Sequence, residues 1–234
     1  MRNYINMGET LWYMRQVRNL FSRTASRVLR VLLAHPMREW TIKGLSQEAN
    51  VSLGYTHAVI TSLISAGYAT RGSSYRIRVV DPIRLIRRWA AYHDYAAINT
   101  FLRYHTFERD VDTFLSRLSR LDEAEYALTV LSGAHLIAPY VRPTTIHFYI
   151  SDQTDPKTVA ELLDLRPVES GGNVSVVRPY DAGVFYARQT VDGLSVVNSV
   201  QLYVDLFNYP ARGSEAAEKI LETLANQWYS ATRV

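Results

Sequence analysis

Between Arg23 and Val80 the chain is interrupted at four closely spaced points, and the intervals leave room only for short helices and one hairpin. Pro36 ends the stretch 23–35, in which Val28, Leu29, Leu32 and Leu33 fall on one helical face. Thr41 is a good N-cap for IKGLSQEAN, with Ile42, Leu45 and Ala49 on one side. Asn50-Val51 makes a short break. Ser52 then caps a second helix, residues 53–66, which Gly67 closes at a C′ position. Thr56, Val59, Ile60 and Leu63 form its inward stripe, while Gly54, Tyr55, His57, Ala58, Thr61 and Ser62 face the other way. Two β-prone runs flank Gly72-Ser73-Ser74, a hairpin signal. Within it Arg76 and Arg78 share one strand face, and Tyr75, Ile77 and Val79 the other.

The outward face of the second helix is polar, small and uncharged. A merely solvated helix would carry Glu and Lys there, whereas a helix entering a major groove benefits from small side chains and a few hydrogen-bonding groups. Charge points the same way. Residues 1–100 hold 14 Arg/Lys and 5 Asp/Glu, a balance of +9; residues 101–234 hold 12 and 17, a balance of −5; together they return the net +4. Arginine supplies 23 of the 26 cations, and its planar fork suits phosphate and guanine edges. The order helix, TIKGLSQEANVSLGYTHAVITSLISAGY, arginine-bearing hairpin, then DPIRLIRRWA resembles the winged helix-turn-helix domains of bacterial and archaeal transcriptional regulators, over about residues 24–95. On this reading Ser52, Tyr55, His57 and Thr61 face base edges. Lys43, Arg71, Arg76 and Arg78 hold phosphates or enter the minor groove from the wing, and Thr41, Gly54 and Ser73 belong to the same DNA-binding surface. A winged helix can instead bind protein, so an interaction adaptor stays open.

The chain has no cysteine, which excludes disulfides, Cys-based zinc sites, iron–sulfur clusters and thiol catalysis. Its start has charges at Arg2 and Glu9 and no continuous apolar stretch, so no signal peptide is read, and a cytoplasmic location is expected. Residues 11–21 put Leu11, Met14, Val17 and Phe21 at helical spacing, which suits packing on the domain or a dimer contact. Pro82 opens a helix carrying Ile83, Ile86, Trp89, Ala90 and His93 on one side and Arg84, Arg87 and Arg88 on the other, read as a bridge continuing with a break towards Tyr104.

The second half alternates strands and short helices. Helices are expected from Glu108, around 132–138, and over 156–163, 200–207 and 214–228. Strands are expected over 125–130, 145–150, 174–177, 183–189 and 194–197, with Asp192-Gly193 as a hairpin turn. A strand ending at Leu131-Ser132-Gly133, a short helix and a further strand is the layout of a nucleotidyltransferase core. That chemistry needs two carboxylates at alternate positions of the second strand to hold Mg²⁺. Here His147 and Tyr149 occupy those positions, and Asp152 and Asp155 come later, beside a turn. The six histidines show no H-x-H or H-x₃-H spacing, so no metal or other cofactor is expected. The fold class is therefore α+β. An N-terminal winged helix-turn-helix domain with its flanking helices, residues 1–100, precedes a C-terminal mixed α/β domain, residues 101–234, reminiscent of a nucleotidyltransferase core without its metal site.

The stretches YALTVLSGAHLIAPY, HFYI and SVQLYVDLFNYPARGSEAAEKI resemble the AbiEi-type antitoxins, the regulatory halves of type IV toxin–antitoxin systems. The resemblance implies a DNA-binding repressor of its own operon whose C-terminal domain restrains a nucleotidyltransferase toxin. The partners it implies are double-stranded DNA, that toxin and a second copy of the chain, with no membrane. Within the motif Gln201 and Asp205 are i, i+4 on one helix face, Arg212 returns close enough to pair with Asp205, and Glu215 sits in the first turn of the last helix. The cluster reads as a Gln–Asp–Arg clamp between two helices or as a polar partner surface. The competing function is a metal-dependent nucleotidyl-transfer enzyme with a DNA-targeting domain.

Overall fold

The computed structural model describes residues 16–72, 74–121 and 124–230. Ser73 and residues 11–15 of the expected N-terminal helix lie outside them. The chain divides into two compact units, Met1–Pro82 and Ile83–Val234. Residues 83–100, which the charge count grouped with the basic half, make their contacts in the second unit.

In the first unit α1 (Arg23–Ala34) buries Val28, Leu29, Leu32 and Leu33 completely. Thr41 caps α2 (Ile42–Glu48), its hydroxyl accepting the Gly44 N–H at 3.0 Å. Ser52 caps α3 (Leu53–Ser65), accepting the Tyr55 N–H at 3.3 Å. α3 ends in a Schellman motif: Gly67, at φ +74°, donates to Ile64 O at 3.0 Å and Tyr68 donates to Leu63 O at 2.8 Å. β1 (Ala69–Arg71) and β2 (Ile77–Val79) pair antiparallel, Thr70 opposite Arg78, and Trp40 adds a single bridge to Ile77. Ile77 and Val79 point into the core and Arg78 out. Tyr75 does not join that inner face. It sits in the turn at φ +57°, 77% exposed, with its N–H donating to Gly72 O.

The second unit is a seven-stranded mixed sheet in the order β6-β3-β7-β5-β4-β9-β8. Its helix α4 (Pro82–Tyr92) stops short of the expected bridge. Asp94 caps a separate turn, α5 (Tyr95–Ile98), by accepting the Ala96 and Ala97 N–H groups, and β3 (Thr100–His105) follows. Then come α6 (Val111–Arg117), capped by Asp110, β4 (Tyr126–Leu128), α7 (Val130–Ile137), β5 (Ile146–Ile150) and α8 (Pro156–Leu162). β6 (Arg166–Pro167), β7 (Val174–Arg178), β8 (Gln189–Val191), β9 (Leu194–Val196), α9 (Ser199–Phe207) and α10 (Gly213–Ser230) complete it. β5 runs parallel to β7 and antiparallel to β4, while β3 pairs antiparallel with β7.

Two expectations about this unit need correction. Leu131, Ser132 and Gly133 lie inside α7, not at a strand end. The strand stops at Leu128, and Val130 turns the chain into the helix at φ +39°, a costly conformation for a β-branched residue. The expected strand 183–189 begins instead in a 3₁₀ turn, Ala182–Phe185, set by Asp181 accepting the Gly183 N–H, and only Gln189 belongs to a strand.

The sheet alternates strictly at β5. Ile146, Phe148 and Ile150 join an apolar core with Phe114, Leu118, Val159, Val174 and Val176. His147 and Tyr149, on the opposite face, are buried among polar groups.

Candidate functional site

The first unit gathers the cations and small polar groups singled out in the sequence on α2, α3 and the β1–β2 ribbon. Thr41, Lys43, Ser52, Gly54, Arg71, Arg76 and Arg78 are exposed. His57 and Thr61 are half-buried on α3, one turn apart, and the Thr61 hydroxyl donates to His57 O at 2.9 Å. The His57 pKa is lowered from its ordinary value, first by desolvation and then by the charge of Arg71. The charge of Arg71 on the ribbon therefore acts on the imidazole on α3.

The outer face of α3 is not bare, however. The chain's own residues 16–22 run along one side of it. The Val17 N–H donates to Ser62 Oγ at 3.0 Å, and Ser22 Oγ is bonded to Tyr55 OH at 3.1 Å. Ala58, between those contacts on the same helical face, is only 7% exposed. The sequence suggests packing of residues 11–21 on the domain as a helix; of these, residues 16–21 do lie against α3 but are not helical, and no spacing points to that position.

In the second unit the polar motif rearranges into a buried centre. Asp205 is fully buried and accepts four hydrogen bonds. Oδ1 takes His93 Nε2 at 2.7 Å and Gln201 Nε2 at 2.7 Å; Oδ2 takes the Thr129 hydroxyl at 2.6 Å and the Tyr149 hydroxyl at 3.0 Å. A carboxylate only accepts, so His93 must donate through Nε2. The positioning is local and specific. Asn198 caps α9 and sets Gln201, Asp205 follows one turn later, and the β4-to-α7 turn aims Thr129.

A second group lies on the same side of the sheet. His147 Nδ1 is 3.1 Å from Tyr95 OH, and its Nε2 is 3.2 Å from Tyr209 OH. Burial lowers the His147 pKa to about 4, so the ring is neutral at pH 7. Burial and then the charge of Asp205 raise Tyr95 and Tyr149 well above the ordinary phenol value, which keeps both as hydroxyl donors. The Ser132 hydroxyl accepts the His147 N–H at 2.9 Å, tying α7 to β5.

Arg212 does not close a clamp on Asp205. Ala211 and Arg212 take left-handed conformations (φ +54° and +68°) that carry the guanidinium to the surface, and both Asp205 oxygens already have two donors. Arg212 Nη2 instead donates to Glu215 Oε2 at 2.7 Å and to Tyr140 OH at 3.1 Å, with its guanidinium over the Tyr140 ring. The pairing raises the Arg212 pKa and lowers that of Glu215. The residues that replace Arg212 around Asp205 are His93, Thr129 and Tyr149. They come from three distant elements, and no spacing in the sequence links them.

The chemistry open to these residues is limited by their pairing. Asp155 caps α8 through the Lys157 N–H, and Asp152 is exposed. Among the described residues no group of three or more His, Asp or Glu is placed to hold a metal ion. Cavities of about 730 Å³, beside Arg120, Glu125, Ser151 and Asp155, and of about 420 Å³, beside Thr106, Arg109, Asp110 and Asn173, lie away from Asp205. Among the described residues no helix is long and apolar enough to cross a membrane.

No curated protein and no solved structure matches the chain. A family model does match, over residues 78–225, which takes in most of the second unit and the Gln201, Asp205, Arg212 and Glu215 motif. With that match covering well over half of its length, the chain belongs to the AbiEi_2 family, described as transcriptional regulator, AbiEi antitoxin, of type IV toxin–antitoxin systems.

Proposed function

We propose that the protein is an autorepressing antitoxin acting in the cytoplasm. Its first unit is a winged helix-turn-helix that binds duplex DNA, and its second unit holds a nucleotidyltransferase toxin or a second copy of the chain. The family match lies almost wholly in the second unit, so the DNA reading of the first rests on geometry. The observation that carries it is the exposure of Arg71, Arg76 and Arg78 on a ribbon whose β1 packs on α3, the helix that bears His57. On this reading α3 supplies Ser52, Gly54, Tyr55, His57 and Thr61 to base edges. The ribbon supplies cations to phosphates, and Thr41 and Lys43 add contacts at the start of α2.

The test is a binding titration of the full chain on DNA from upstream of its own gene, repeated over a range of salt. The wild type should give a footprint with a steep salt dependence. Replacing both Arg76 and Arg78 by Ala should reduce the magnitude of the log K against log salt slope by about 1.8, if each neutralises one phosphate. An unchanged slope rules them out as phosphate ligands. A two-fold symmetric footprint supports the dimer, and relief of growth arrest on co-expression with a nucleotidyltransferase toxin supports the toxin partner.

A further inference from the structure

On the DNA reading, residues 16–22 lie in the path of the duplex. An α-helix with its side chains is about 10–12 Å across, and the major groove is about 12 Å wide, so a single helix fills it. α3 carries more than a helix on its outer side. The Val17 N–H is bonded to Ser62, Ser22 is bonded to Tyr55, and the helix face between the two contacts, at Ala58, is closed to solvent. Tyr55, Ala58 and Ser62 are spaced three and four residues apart and so form one stripe. That stripe adjoins Gly54 and Thr61, which the DNA reading needs.

We propose that residues 16–22 form a displaceable cover on α3, and that duplex DNA binds only after this segment leaves the Tyr55–Ala58–Ser62 stripe. The inference rests on the DNA reading above and adds a step to it. The contact has the character of a latch more than of core. Its hydrogen bonds to α3 are made by hydroxyls and one backbone N–H. A cavity of about 600 Å³, bordered by Gln16, Asn19, Ser22, Ser52, Gly54 and Tyr55, lies between the segment and the first turns of α3. Gln16, Arg18 and Asn19 remain exposed and Val17, Leu20, Phe21 and Ser22 are only half-buried, so no residue of the segment is fully buried by staying. Two hydrogen bonds of this kind hold a local equilibrium closed by roughly tenfold to a hundredfold, within reach of a polyanion that makes several contacts in exchange.

The chain has no cysteine, so one engineered pair can lock the cover without side reactions. In the full-length Val17→Cys/Ser62→Cys protein, oxidation should weaken binding to the upstream DNA at least tenfold, and reduction should restore it. Full-length Ser22→Ala/Ser62→Ala, which removes both latch contacts and leaves Tyr55 and His57 in place, should bind severalfold more tightly than wild type. Hydrogen exchange on the wild-type protein gives a reading that needs no variant: backbone amides of residues 16–22 should exchange faster when DNA is added. Equal affinity of the oxidised and reduced forms overturns the cover while leaving the DNA reading intact. So does failure of the pair to cross-link, or protection of residues 16–22 by DNA. Absence of DNA binding in wild type and in the Ser22→Ala/Ser62→Ala variant alike defeats the DNA reading itself, and the cover with it.

Discussion

Replacing Asp205 by Ala removes the acceptor for four donors at once. Each of His93 Nε2, Gln201 Nε2, Thr129 Oγ1 and Tyr149 OH lies within 3.0 Å of one of its oxygens, and the side chain has no exposed surface. An unsatisfied buried donor costs about 1–3 kcal/mol, and four in simple sum would cost about 4–12 kcal/mol. The sum overstates the loss, because two of the four are hydroxyls that can turn. The low end is the working figure, about 4–5 kcal/mol, which is also the range for breaking a buried ion pair from one side. Asp205→Asn retains one oxygen and should cost about half as much. The assay is equilibrium unfolding in urea followed by the fluorescence of Trp89, whose ring lies 6.3 Å from that of His93.

A loss below about 1 kcal/mol for Asp205→Ala would refute the reasoning, because it would mean that water reaches the four donors. The centre would then be an open site, and the polar-surface reading of the Gln201–Asp205 motif would return. A loss of the expected size with an unchanged m-value ties the motif to the fold of the second unit.

Other consequences follow from single groups. His147 is held at a pKa of about 4 in the folded chain against about 6.5 unfolded, so its contribution is complete above pH 6.5 and is lost as pH falls towards 4, by about 3 kcal/mol; His147→Gln should show a correspondingly shallower decline in urea titrations between those values. Arg71→Ala removes a positive charge that depresses His57, so the His57 ring should titrate at higher pH by NMR, and an unmoved titration would separate the helix from the ribbon. A Cβ on Gly213 would come within 2.7 Å of Leu206 O and of Tyr209 Cβ, so Gly213→Ala should lower stability by about 1–3 kcal/mol in the same unfolding assay.

The parts of this fold legible in the sequence are those set by neighbours along the chain. Thr41, Ser52, Asp155 and Gly67 act at the helix ends where their side chains or φ freedom predict, because capping involves residues two to four apart. β3 is not legible, because Thr100–His105 becomes a strand only by pairing with β7 and β6, more than 60 residues away. Strict alternation puts Tyr75 on the wrong side, since a left-handed residue in the turn breaks the period of two. The same limit explains the site. Gln201 and Asp205 are one turn apart and could be paired on paper, but the other three donors to Asp205 reach it from α4, the β4–α7 turn and β5.

The donor set around His147 and Tyr149 also bears on the enzyme alternative. Those two positions alternate on β5 where a nucleotidyltransferase would present carboxylates to a divalent cation. Here they present a neutral imidazole and a phenol held as a donor, and Tyr95 and Tyr209 add two further hydroxyls. The single carboxylate nearby already accepts four hydrogen bonds, so a hard cation would have to displace them one by one for an oxygen ligand. Such a set is well suited to joining helices to a sheet and poorly suited to holding Mg²⁺. Arg212 and Glu215, by contrast, form an ion pair about half in solvent, with the guanidinium stacked on Tyr140, a contact that adds little to stability.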